Sequence, residues 1–130
     1  MAIYGVGAYY EADVSGDFIA SNLVGVGWNE TDAPELHLFM KTMKVGDVVY
    51  IKAYPPGSQD IVVKGIGIIA DDTLRHLKDT NGLVEIGRNV RWLRSEEFRI
   101  RKPNEKNNVR ANTIYEEYHP AVQKEIISRI

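Results

Sequence analysis

At 130 residues the chain has the length of one domain, spanning residues 1–130, and enough mass to bury a core without disulfides or a structural metal. Its 16 Lys and Arg against 18 Asp and Glu give a formal charge of −2, which argues against the basic footprint of a protein that grips long nucleic acid by its phosphates. The absence of Cys removes disulfides, thiolate catalysis and Cys-based zinc sites together, and it fits a reducing compartment.

Residues 3–10 are rich in β-branched and aromatic side chains and read as a first strand. Asp17 is placed to cap a helical turn over residues 18–22, and residues 23–28, LVGVGW, form a second strand. Asp32, Pro34 and Glu35 have the form of a capping box with Pro in the first turn. Leu36, Phe39, Met40 and Met43 follow at helical spacing, with Gly46 as the expected helix stop. Residues 47–54 and 61–70 read as an antiparallel pair of strands around the turn-forming Pro55, Pro56 and Gly57. Residues 72–78 read at best as a short helix. Residues 85–93 and 98–101 add one or two strands, 102–112 form a polar loop, and a last helix begins near Pro120 with Val122, Ile126 and Ile130 on one face. The pattern predicts an α+β fold: a small mixed or antiparallel curved sheet, or pseudo-barrel, with two or three packed helices. No apolar run nears the roughly 20 residues needed to cross a bilayer. The N-terminus lacks the basic region and cleavage site of a signal peptide, so a cytoplasmic protein without a membrane partner is expected.

Three triplets, Gly5-Val6-Gly7, Gly25-Val26-Gly27 and Gly65-Ile66-Gly67, fall inside these strands. The third matches the loose dinucleotide fingerprint G-x-G-x-x-A, but that motif needs a helix to begin at the glycines, and here the strand continues. Glycines at alternate positions instead clear a sheet face, for close packing or for a flat ligand. Aromatic residues cluster at strand ends: Tyr9, Tyr10, Trp28, Tyr54, Tyr115 and Tyr118. Exposed rings of this kind stack on nucleobases, and Trp28 stands directly before the polar Asn29. Asn108, Arg110, Asn112 and Thr113 supply a guanidinium, two amides and a hydroxyl on the polar loop, groups that read base edges, phosphates or ribose. Lys52 and Arg91 add charge if their strands face the same side.

Catalytic readings find no support. His37, His76 and His119 lack metal-ligand spacing, and His119, just ahead of Pro120, suits a helix cap. The pairs Asp71-Asp72, Glu96-Glu97 and Glu116-Glu117 are adjacent in sequence and point in different directions on a strand or helix. No catalytic residue, metal ligand or cofactor is expected.

Residues 17–28, 43–49 (MKVGDVV), 65–69 (GIGII) and 90–93 (VRWL) follow one another in an order and spacing that resembles the EVE-like branch of the PUA-like superfamily, as found in modification-dependent restriction proteins. The resemblance covers residues 17–93. It implies a pseudo-barrel holding a pocket between strand ends, in which relatives bind a flipped modified base or a nucleotide. Trp28 falls on the family's tryptophan after the glycines, Gly46-Asp47 on its structural turn and Trp92 on its closing strand. Of these only Trp28 carries a ligand role across. The chain differs in carrying no nuclease or ATPase domain and no basic surplus, and residues 107–118 have no counterpart in the resemblance.

Together these features point to a non-catalytic binder of a nucleotide-type ligand, such as a small soluble nucleotide signal sequestered by a virus or mobile element. The candidate site is Tyr9, Tyr10, Trp28, Asn29, Lys52, Tyr54, Arg110, Asn112, Thr113 and Tyr115. The alternatives are a reader of modified bases in DNA or RNA and a small nucleotide-processing enzyme. The sequence is compatible with a homo-oligomer.

Overall fold

Apolar side chains on both faces of the central strands require cover on both sides, and the architecture provides it with one mixed sheet between helices. The computed structural model describes residues 1–10, 12–53, 55, 57, 59–105 and 109–130. In chain order the elements are β1 (Ile3–Gly7), α1 (Ser15–Ser21), β2 (Leu23–Val26), α2 (Pro34–Thr42), β3 (Val48–Ala53), β4 (Asp60–Arg75), β5 (Ile86–Arg94), β6 (Phe98–Arg101), β7 (Ile114–Glu116) and α3 (Pro120–Ser128). The fold is mixed α+β. Its seven strands run in the order β2-β5-β4-β3-β1-β7, with β6 pairing alongside β4. Among the described residues β2 and β7 do not pair with each other, so the sheet stays open.

One side of the sheet joins distant parts of the chain. β1 lies parallel to β3, with Ile3 opposite Val48 and Gly7 opposite Lys52, and antiparallel to β7, with Tyr4 opposite Glu116. The expected antiparallel pair is β3 with β4. β7 has three residues, too few for an alternating pattern to announce, and it follows directly on the stretch read as a loop.

Several local expectations need correction. α1 begins at Ser15, ahead of Asp17, because the Asp13 carboxylate accepts the Ser15 N–H at 2.9 Å. The helix ends at Asn22, whose left-handed φ of 53° an Asn tolerates. β2 stops at Val26. The capping box before α2 does not form: Ala33 is the N-cap without a side-chain bond, and the Asp32 N–H is taken by Asn29 Oδ1 at 2.9 Å. α2 ends at Thr42, so Gly46, with φ of 90°, closes the turn into β3 instead of the helix. The buried Asp47 carboxylate secures that turn by accepting from the N–H groups of Lys44 and Ala2.

The short helix expected over residues 72–78 is absent. β4 continues to Arg75, with a bulge in its pairing with β5 between Ile69 and Leu74, and a short 3-10 turn, Leu77–Asp79, follows. The buried Arg88 guanidinium explains this. It donates to the carbonyls of Met40 and Met43 at the end of α2 and to that of Asp71, while Asn89 Nδ2 reaches the Asp71 carboxylate. The chain is thereby held extended where propensity alone would coil it. As expected from its place before Pro120, His119 caps α3, its Nδ1 accepting the Ala121 N–H at 3.2 Å.

Side chains alternate between two cores. Tyr4, Val6, Val49 and Ile51 join Phe18, Met40, Val24, Val26 and Ile114 on one side. Ile3, Val48, Tyr50 and Tyr115 join Phe98, Val122 and Ile126 on the other. The second core contains a buried charge system. Arg110, 1% exposed, donates from Nε and Nη2 to the two oxygens of Glu117, also 1% exposed, and from Nη1 to Glu105. Tyr50 donates to Glu117 Oε1 at 2.7 Å. With its proton so used, Tyr50 receives the Tyr115 hydroxyl at 2.6 Å. Burial acts to lower the Arg110 pKa, but the Glu117 and Glu105 carboxylates outweigh it and hold it raised. Burial, then Tyr115 and Glu117, push the Tyr50 phenol up. The Tyr115 ring lies over Gly5, where a Cβ would collide with it.

Replacing Arg110 with Met would leave Glu117 buried and uncompensated, an error that costs about 3–5 kcal/mol. The expected result is a lower urea midpoint with an unchanged slope. Adding Glu117→Gln to the same chain should restore most of the loss.

Candidate functional site

Where the carboxyl ends of the parallel pair β1 and β3 meet the start of β7, a cavity of about 440 Å³ opens to solvent. Gly7 and Ala8 of the first strand and its extension, and Ile51, Lys52 and Ala53 of β3, form its floor. Tyr9, Tyr10 and Asp13 come from the loop between β1 and α1, Trp28 follows β2, and Ala111 and Thr113 precede β7. The volume falls within the few hundred Å³ typical of small-molecule sites.

The described residues of the loop before α1 are held by hydrogen bonds and packing. Tyr9 bridges Asp13, and the Val14 N–H reaches the Ala8 carbonyl at 2.8 Å. Tyr10 tucks inward, its hydroxyl donating to the Gly25 carbonyl at 2.9 Å and its ring packing over Gly27 and edge-on to Phe18. Burial raises its pKa. Tyr9 is left 74% exposed and Trp28 55% exposed, so these two rings, unlike Tyr10, present faces to a ligand. Both also line an adjoining hollow of about 500 Å³ with Leu77 and Leu83. Trp28 is held from below by the buried His37, whose Nε2 lies 2.7 Å from the Trp28 carbonyl. A carbonyl only accepts, so Nε2 carries the proton.

Two ammonium groups reach the cavity. Lys52 Nζ donates to the Arg110 carbonyl at 2.7 Å and stands 5.7 Å from the centre of the Tyr115 ring. Burial lowers its pKa to about 8. Lys64 arrives by a backbone irregularity: Ile51 pairs with Gly65 and Lys52 with Val63, so Lys64 is the extra residue of a β-bulge. Bulges re-aim side chains in this way. Its ammonium lies 2.6 Å from Asp13 Oδ2, and that bond leads the causes that lower the Asp13 pKa to about 2.

Of the residues singled out from sequence, Tyr9, Tyr10, Trp28, Lys52 and Thr113 meet around this cavity. Asn29 does not; it closes the turn before α2. Arg110 is turned inward onto Glu117 and Glu105, so its guanidinium is committed to the core and does not face this cavity. Tyr115 is buried beneath the floor with its hydroxyl on Tyr50. Asn112 is exposed on a neighbouring groove shared with Trp28. Arg91 is exposed on β5 and is not part of the lining. Tyr54 and Asn108 lie outside the described residues.

Sequence reasoning missed Asp13 and Lys64. Lys64 had a signal, a single charge in the apolar run IVVKGIGIIA; Asp13 had none. The glycine triplets serve mainly close packing: Tyr115 fills the space above Gly5, Val84 that above Gly25 and Val90 that above Gly67. Gly7 is the exception that lines the cavity. Among the described residues no group of three or more His, Asp or Glu side chains is arranged to hold a metal ion, and no helix is long and apolar enough to cross a membrane.

A family model described as a domain of unknown function, DUF8426, matches residues 29–117. The match takes in Lys52, Lys64, Thr113 and the Arg110–Glu117 pair, and it leaves Tyr9, Tyr10, Asp13 and Trp28 outside. No curated protein matches the chain.

Lys52 provides a test of the electrostatics. Its Cε carbon, followed by NMR, is expected to titrate with a midpoint near 8. The ordinary lysine value is 10.5, so between the two the unfolded chain binds more protons and this group's contribution to stability grows as pH rises. A midpoint near 10.5 would show that its ammonium is solvated.

Proposed function

The chain belongs to the DUF8426 family, whose function is unknown, and from the geometry of its cavity we propose that it binds a nucleotide-type ligand without transforming it. The observation that carries this reading is the pairing of two exposed rings, Tyr9 and Trp28, with two lysine ammoniums in one cavity of small-molecule size. A planar base stacks on such rings, and an anionic group is met by Lys52 and Lys64. Thr113 adds a hydroxyl at the rim.

The curl of the sheet supports the PUA-like pseudo-barrel as the finer description of the fold. Val26 of one edge strand and Ile114 of the other enter the same core, and Trp28 and Thr113 line the same cavity. The formal charge of −2 favours a free nucleotide over a base in a long duplex, which would need an extended basic surface. Among the described residues the lining holds no His, and its carboxylate, Asp13, is held by Lys64 and the Ser15 N–H, which favours holding a ligand over acid–base chemistry on it.

The deciding experiment is to incubate the purified protein with a mixture of mononucleotides, cyclic nucleotides and short oligonucleotides, separate it, denature it and identify by mass spectrometry what is released. Release of unchanged small nucleotide is the expected result. A converted nucleotide would replace this reading with an enzyme, and retention of modified oligonucleotides alone would replace it with a base reader. Trp28→Ala and Tyr9→Ala should each weaken binding by about 1–3 kcal/mol, roughly 5- to 150-fold, with folding intact. Unchanged affinity in both would remove the rings from the site.

A further inference from the structure

The ion pair between Asp13 and Lys64 lies in the cavity lining, where it ties the loop before α1 to β4. Lys64 reaches it through the bulge between Ile51 and Lys52 of β3 and the facing β4, and Asp13 reaches it from the loop that also carries Tyr9 and Tyr10. Resting on the reading of this cavity as the ligand site, we propose that the Asp13 carboxylate is a built-in stand-in for a phosphate group, which displaces it from Lys64 when the ligand binds.

Three features of the site carry the argument. The described charged lining is Lys52 and Lys64 against Asp13, so an entering anion meets two ammonium groups beside one carboxylate. The Asp13–Lys64 pair is partly open to water, the two side chains being 47% and 26% exposed, and ion pairs so exposed hold weakly and exchange at little cost. Asp13 also keeps a second anchor: its Oδ1 accepts the Ser15 N–H at 2.9 Å, a bond that does not involve Lys64. On its outer side Lys64 faces Glu97 at 3.9 Å, a longer and more exposed contact than the one to Asp13. A phosphate monoester carries up to two negative charges and three acceptor oxygens, and lysine meets it as a point charge. It therefore outbids a single carboxylate for the same ammonium.

Exchange has a specific signature: removing the carboxylate should strengthen binding of an anion instead of weakening it. Asp13→Asn keeps an oxygen for the Ser15 N–H while abolishing the competing charge. Titration with inorganic phosphate, followed by the amide shifts of residues 8–15 and 64, is expected to show Asp13→Asn binding about fivefold tighter than the parent protein. Lys64→Gln should lose the response and Lys64→Arg should retain it. Trp28→Ala should leave inorganic phosphate binding unchanged while weakening that of nucleoside 5′-monophosphates, which separates this inference from the stacking role of the rings. Equal or weaker phosphate binding by Asp13→Asn, a saturable response that survives in Lys64→Gln, or no saturable response in Asp13→Asn would each overturn the exchange.

Discussion

The buried pair of Arg110 and Glu117 is the constraint on which the C-terminal third of the molecule depends. β7 has three residues and α3 has nine, too little regular structure to fix residues 102–119 by backbone pairing alone. The guanidinium takes both oxygens of Glu117 and reaches back to Glu105, and Glu117 in turn receives Tyr50 of β3 and the His119 N–H at the entry to α3. One carboxylate thus ties the polar segment, the edge strand, the last helix and the sheet centre together. Burying two charges is expensive, and a well-shaped apolar replacement can match such a pair in stability. What the charges add is direction: a planar fork accepts a carboxylate in few orientations. That orientation sets Ala111 and Thr113 against the cavity and brings the Arg110 carbonyl to Lys52 Nζ.

The cavity is consequently a meeting of parts that are remote in sequence. Its floor belongs to the sheet, its rim to the loop between β1 and α1 and to Trp28, and its far wall to the segment anchored by Arg110. The family match spans the floor and far wall but not the rim with the exposed rings. Binding energy from stacking would come from the rim, and electrostatic selection from the floor. Tyr10 joins the two, its ring filling the space above Gly27 and its hydroxyl closing on the Gly25 carbonyl.

Local patterns carried much of the fold. Alternation and turn chemistry located β3, β4, β5, β6 and α3 because each has a face long enough to show its period. β7 escaped, having only three residues, and the extension of β4 through residues 71–75 escaped because Arg88, distant in sequence, holds it extended. Tyr9, Tyr10, Trp28, Lys52 and Thr113, picked out by ring chemistry, strand charge and loop polarity, do meet around one cavity. Arg110 was misread for a physical reason: a guanidinium beside amides on a polar stretch looks the same whether it faces water or finds a carboxylate seven residues on. The pairing of Asp13 with Lys64 depends on a register shift, which the spacing of these two residues along the chain does not announce.

The placement of β1 between β3 and β7 has a consequence for how the molecule comes into being. β1 is the first strand in the sequence and β7 the last of the described ones, yet they are neighbours at one edge of the sheet. Such pairings bear the full entropy of closing the largest loop in the chain, which makes them slow and late. On a ribosome, the edge of β1 that β7 covers stays bare until β7 has emerged. The far wall of the cavity arrives with β7, after the floor strands β1 and β3 have been made. A ligand held against that wall would favour the form in which β7 is paired over forms in which it is not.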